Sequence, residues 1–175
     1  MKKLSFRIAF GGIASALCVL LMFSAAILPF MMYAFPMLSG LLIYAVSYEC
    51  GRKTGLAAYV SVATLILILS PEKESALLFA LFFGYYPILS VYMDRLRSKL
   101  LQWVIRFSVL NIAIAAVYFI LMKVLVAVDS EEFTKYSMIF FFVCWNLLLI
   151  VYDKLIRILT VRYVKTFRKK LFKRK

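Results

Sequence analysis

The sequence predicts an all-α integral membrane protein with six transmembrane helices, both termini on the cytoplasmic side and a basic amphipathic C-terminal helix. Three observations predict it. Of the 175 residues, 65% are apolar, against roughly 45–50% in a typical soluble domain. The 41 residues from Ile8 to Tyr48 carry no charge. Lysines and arginines crowd into alternate turns. A soluble domain of about 150 residues buries only about 70% of the surface its unfolded chain exposes. Lipid is therefore the simpler solvent for so much apolar surface.

The elements follow from span length and punctuation. A transmembrane helix needs about 20 apolar residues. At about 1.5 Å per residue the Ile8–Tyr48 run is two crossings of a roughly 30 Å core. Pro29 and Pro36 mark its middle, where a helix breaks. Helix one is expected over residues 8–28 and a short helix two over 36–48. The charged turn Glu49–Gly55 leads to helix three over 55–69. The turn Ser70–Glu74 leads to helix four over 75–93, in which Gly84 permits close approach and Pro87 frees a carbonyl near Phe83. Asp94–Lys99 is the next turn. Helix five is expected over 100–128, with Arg106 and Lys123 near its ends, where long side chains snorkel to water. Asp129–Lys135 is a loop, and helix six follows over 136–152. This divides the chain into a membrane domain, 1–153, and a basic tail, 154–175. The start MKKLSFRIAF resembles a signal peptide, but the apolar run after it is too long, is not read as ending in a small-x-small cleavage site and is followed by more spans, so it reads as a retained helix.

Orientation follows from the basic residues. The N-terminal segment, the Gly51 turn, the Asp94 turn and the tail hold 18 of them, while the opposite loops hold only Lys73 and Lys135. The basic side is expected to be cytoplasmic. In the tail, Lys154, Arg157, Arg162, Lys165, Arg168 and Lys169 share one side of a helical wheel, and Ile156, Leu159, Tyr163 and Phe167 the other. Such a helix lies on an anionic leaflet. Anionic lipid is its expected partner, rather than nucleic acid.

Several chemistries are excluded or disfavoured. Histidine is absent, which removes imidazole metal sites and histidine bases. No P-loop, G-x-S-x-G or HExxH pattern occurs. Cys18, Cys50 and Cys144 lie far apart, without metal spacing, and read as reduced packing residues. No carboxylate falls in mid-span, where coupled carriers place them. The chain is expected to be no enzyme and to need no cofactor.

Other residues could carry binding. Gly11/Ser15, Gly12/Ala16 and Ala14/Cys18 are small-x-x-x-small pairs on helix one, suited either to packing within the chain or to docking a second membrane protein. Asn111, Tyr118, Trp145, Asn146 and Tyr86 are polar or aromatic groups inside spans. They can line a small-molecule pocket or clasp neighbouring helices. The uncharged loop Pro29–Pro36, with Tyr33, is either an interfacial belt or a lid.

The run Phe35-Pro-Met-Leu-Ser-Gly-Leu-Leu-Ile-Tyr-Ala and the turn Gly51-Arg-Lys-Thr-Gly55-Leu-Ala resemble the substrate-binding S component of energy-coupling factor transporters. The resemblance extends in layout from Arg7 to Tyr152. It implies capture of a vitamin-like molecule from outside, docking on a transmembrane coupling subunit, and energy from two separate ATPase subunits. It implies docking at Gly11, Gly12, Ser15 and Ala16, and ligand contacts from Tyr33, Tyr86, Asn111, Tyr118, Trp145 and Asn146. Lys123 could meet an anionic group. A bacterial plasma membrane is the expected location. Two other readings remain: a six-helix scaffold similar to the rod-shape determinant D family, which binds protein partners and no small molecule, and an intramembrane lipid-modifying enzyme, for which the charged residues form no catalytic set.

Overall fold

The computed structural model describes residues 4–93, 98–120 and 135–162. All the regular structure in them is helical. We number six helices: α1 Leu4–Ile27, α2 Ala34–Cys50, α3 Arg52–Leu69, α4 Lys73–Met93, α5 Lys99–Ile120 and α6 Lys135–Arg162. The chain forms two units. Helices α1–α5 belong to Met1–Asp129, and α6 belongs to Ser130–Lys175.

Four of the described helices, α1, α3, α4 and α5, are long and apolar enough to cross a membrane. With 17 residues, α2 is apolar but shorter; at about 1.5 Å per residue it is about 26 Å long. The solvent implied by this composition is visible in the side chains. Leu4, Ile8, Ile13 and Leu20 on α1, Val60 and Ile68 on α3, and Leu100, Val104 and Ile112 on α5 are all exposed. Apolar groups turned outward in such numbers are compatible with lipid around the bundle.

Each of α1–α4 turns a narrower stripe inward, largely at three- and four-residue spacing. Ala14, Cys18 and Met22 of α1 pack with Ile43 and Val46 of α2, Ala58, Val62 and Ile66 of α3, and Ala76, Phe79, Ala80 and Ile88 of α4. Helix α4 is the central one: two-thirds of its apolar stretch is buried (67%), against 28% for the other three candidates.

The element boundaries differ from expectation in instructive ways. Pro36 does not start α2. It stands third in the helix, where its missing N–H would have no intrahelical partner anyway. The charged turn before helix three shrinks to one residue, Gly51. Its φ of 93° and ψ of 157° lie in a region open essentially only to glycine. Helix α3 therefore begins at Arg52, and Gly55 lies inside it. A Cβ at Gly55 would fall 2.5 Å from the Ser47 Cβ and 2.7 Å from its Cα, so α2 and α3 touch backbone to backbone. The Arg7 guanidinium closes the corner by donating to the Thr54 hydroxyl at 2.6 Å.

Two further expectations are corrected. Arg106 does not snorkel. It is 1% exposed; neighbouring side chains enclose it two turns into α5, and its guanidinium stands 5.7 Å from the Trp103 ring centre. Helix α6 does not end at Tyr152 but runs on through Arg162, so the first part of the basic tail continues the sixth helix. An Asp153–Arg157 ion pair at 3.1 Å spans the junction. Residues 163–175 and 121–128 lie outside the described residues.

The close approach at Gly55 has a measurable consequence. Gly55→Ala is expected to destabilise by about 1–3 kcal/mol, because the added methyl meets backbone that cannot yield. Gly12→Ala, where nothing lies within 4 Å of an added Cβ, should be neutral or slightly stabilising. Thermal unfolding in detergent separates them. Equal midpoints would show that the contact does not hold the pair together.

Candidate functional site

Helix α1 divides the small residues that the sequence offers for docking. Gly11 is buried, and a Cβ there would meet Thr54 at 3.8 Å and Val46 at 4.0 Å. Ala14 and Cys18 lie on the same inward stripe. The Cys18 thiol donates weakly to the Ser39 carbonyl at 3.4 Å, and the Ser39 hydroxyl donates back to the Cys18 carbonyl at 3.5 Å. This clasp joins α1 to α2. Gly12 and Ala16 are exposed and Ser15 is half-buried. The Gly12–Ala16 face is thus a shallow groove flanked by exposed Ile8, Ile13 and Leu20.

The loop between α1 and α2 is tied to α4. Its Tyr33 hydroxyl donates to Glu74 Oε1 at 3.0 Å, on the first turn of α4. Burial, then the nearby Glu74 charge, push the Tyr33 phenol up to about 12. Beside this latch, the Lys73 ammonium caps α3 by donating to the Leu67 and Ile68 carbonyls at 3.1 and 3.3 Å. That is a favourable place for a cation. Ser75, the residue after Glu74, is fully buried, and among the described residues its hydroxyl has no hydrogen-bond partner.

Helix α4 is irregular where the sequence places Gly84 and Pro87. Phe79–Phe83 form a π turn, and the Gly84 N–H donates to the Phe79 carbonyl at 2.8 Å. That bond skips Ala80, whose carbonyl instead accepts from the Tyr59 hydroxyl of α3 at 2.5 Å. A carbonyl stranded in an apolar interior would cost about 1–3 kcal/mol. The Tyr59 ring lies where a Gly84 side chain would stand, 2.6 Å from an ideal Cβ. Glycine is needed there for close approach, as the sequence indicated. Single π turns inside α-helices recur at functional sites.

The proposed ligand residues are placed as follows. Tyr33 is on the latched loop. Tyr86 is fully buried, its ring 4.7 Å from that of Phe82. Twelve residues separate it from Glu74, about 18 Å along the helix, so Tyr33 and Tyr86 stand at different depths. Asn111 is half-buried, and its amide donates to the Phe107 carbonyl of its own helix at 2.8 Å. Trp145 and Asn146 are neighbours on α6. Lys123 and the Tyr118 side chain lie outside the described residues. No group of histidine, cysteine, aspartate or glutamate side chains suited to a metal occurs among the described residues. Cys18 and Cys50 are free and buried, whereas Cys144 is free and exposed.

Sequence reasoning missed Glu74 and Tyr59. Glu74 read as one charge in a turn, and nothing local marks Tyr59 as the partner of a carbonyl 21 residues away. The only signal was indirect, in Gly84, which was expected to permit close approach on α4. No family model matches the chain, and no curated protein or solved structure matches it.

The latch has a pH signature. A raised phenol means that the neutral, donating form of Tyr33 is favoured in the folded state. Its contribution is fully present below the ordinary value of 10.0 and is lost as pH rises from there toward about 12. Glu74→Gln should move the Tyr33 phenol back toward 10.0. The check is a phenolate absorbance titration, read as the difference from Tyr33→Phe. A Tyr33 titration that ignores the Glu74 change would refute the latch.

Proposed function

We propose that this chain is the substrate-binding membrane subunit of an importer of the energy-coupling factor type. In this reading six helices cross the membrane, both termini are cytoplasmic, and the loop carrying Tyr33 faces outside. A vitamin-like small molecule enters beneath that loop. A transmembrane coupling subunit, driven by two separate ATPases, docks on α1. The basic tail holds the chain to anionic lipid.

The observation that carries this reading is the two-faced α1. One stripe of small residues is used up inside the chain, and a second, at Gly12 and Ala16, is left facing outward beside large apolar side chains. A helix needing only to pack within its own chain has no use for the second stripe. The Tyr33–Glu74 latch fits a loop that covers something. The buried, unpartnered hydroxyl of Ser75 beside it suits a polar group of a ligand. The scaffold reading has its own support: Tyr86 is packed into an aromatic pair, and Asn111 bonds within its own helix. Both groups serve packing as they stand.

Four measurements test this reading, the first its orientation and the others its distinction from a scaffold. Single cysteines at the turns, labelled from outside whole cells, should react at position 32 and not at position 53; the reverse pattern would overturn the orientation. Mass spectrometry of the purified protein should find a co-purified small molecule, and a compound from a vitamin panel should raise the thermal midpoint. A scaffold gives neither. Ser75→Ala should raise the stability of the ligand-free protein by about 1 kcal/mol and weaken the thermal response to the compound. Gly12→Leu with Ala16→Leu should abolish co-purification of membrane partners while leaving ligand response intact.

A further inference from the structure

The π turn of α4 is more than an irregularity. It is equivalent to an α-helix holding one residue too many. It can close to regular geometry only if one half of the helix rotates by about 100° and slides about 1.5 Å against the other. What opposes this is Tyr59. Its hydroxyl satisfies the Ala80 carbonyl that the π turn strands, and its ring occupies the space beside Gly84. Its ring centre stands 6.1 Å from that of Phe79 and 6.0 Å from that of Tyr85. One side chain of α3 therefore touches the start, the middle and the far edge of the irregular segment.

The two halves of α4 are connected to different places. The half before the π turn carries Glu74, held by Tyr33. The half after it carries Tyr92, whose hydroxyl accepts from Arg52 at 2.7 Å, with the Arg52 guanidinium 4.2 Å from the ring centre. Arg52 is the first residue after the Gly51 corner. Between the halves, Gly84 offers no side chain to obstruct rotation. Pro87 lacks the N–H that would tie it to the Phe83 carbonyl, so the second half begins where one regular bond is already missing.

We propose that the π turn is a two-state register switch with Tyr59 as its catch. When the Tyr59 hydroxyl leaves the Ala80 carbonyl, the turn closes to α geometry. The segment from Gly84 to Met93 then rotates, carrying Tyr92 off Arg52. The switch links the Tyr33–Glu74 end of α4 to the α2–α3 corner, and it stands whether or not the importer reading holds.

The test uses the full chain in lipid nanodiscs, with Cys18, Cys50 and Cys144 replaced by alanine. Spin labels go on Leu56 of α3, which is exposed, and on Val91 beyond the π turn. With a side-chain radius of about 5–6 Å, a swing of about 100° displaces the second label by about 8 Å. Tyr59→Phe removes one hydrogen bond and should shift the balance of two distances about five- to tenfold toward the new one. Gly84→Ala, which crowds the Tyr59 ring, should shift it the same way and serves if the first variant folds poorly. Deleting Ala80 removes the surplus residue with both halves left in register. It should give one distance that no longer responds to Tyr59→Phe. An unchanged single distance in both point variants would overturn the proposal. So would a second distance that survives the deletion.

Discussion

Gly55 stands where any side chain would run into Ser47, and the first unit is organised around that constraint. In hydrocarbon the hydrophobic effect does not press helices together, since lipid tails are as apolar as leucine. Dispersion does, and it falls steeply with a gap of even half an ångström. Only small residues let two helix backbones come close enough to benefit. The α2–α3 contact at Gly55 and the single-residue corner at Gly51 make one tight hairpin. Gly11, Ala14 and Cys18 then seat α1 on it. Helix α4 occupies the centre, against α3, because Gly84 clears room for Tyr59.

Polar groups follow the same logic. Each one inside an apolar bundle needs a partner. Ser61 and Thr64 return their hydroxyls to the carbonyls four residues back, at 2.9 Å each, and so face outward at little cost. Ser39 and Cys18 satisfy one another across helices. Tyr59 answers a carbonyl that the π turn sets loose. The larger irregularities thus each come with a specific donor, which is why the fold tolerates them at its most buried helix.

Much was legible in the sequence because it depends on local quantities. Apolar run length gave the helices, and all six expected helices are present. Gly84 marked a close approach in α4 and Gly51 a turn, but the π turn and the Ala80 carbonyl it frees were not foreseen. The errors were of one kind. Pro36 was read as a boundary, though a proline in the first turn breaks nothing. Arg106 stands about where expected along its helix, but its burial is set by neighbours rather than by its distance from the helix end. The ligand candidates are a separate matter: residue type and depth in a span do not say whether a tyrosine lines a cavity or stacks on a neighbour such as Phe82.

The sequence by itself determined the all-helical class, the helix count and the apolar exterior compatible with a membrane, since these follow from composition and spacing along one chain. Only the tertiary structure decided which small residues of α1 pack inward and which remain outward. It alone joined Tyr33 to Glu74 and Tyr59 to Ala80. Helical periodicity fixes which residues share a face. It says nothing of what that face meets, and here the partners lie 21 and 41 residues apart in the chain.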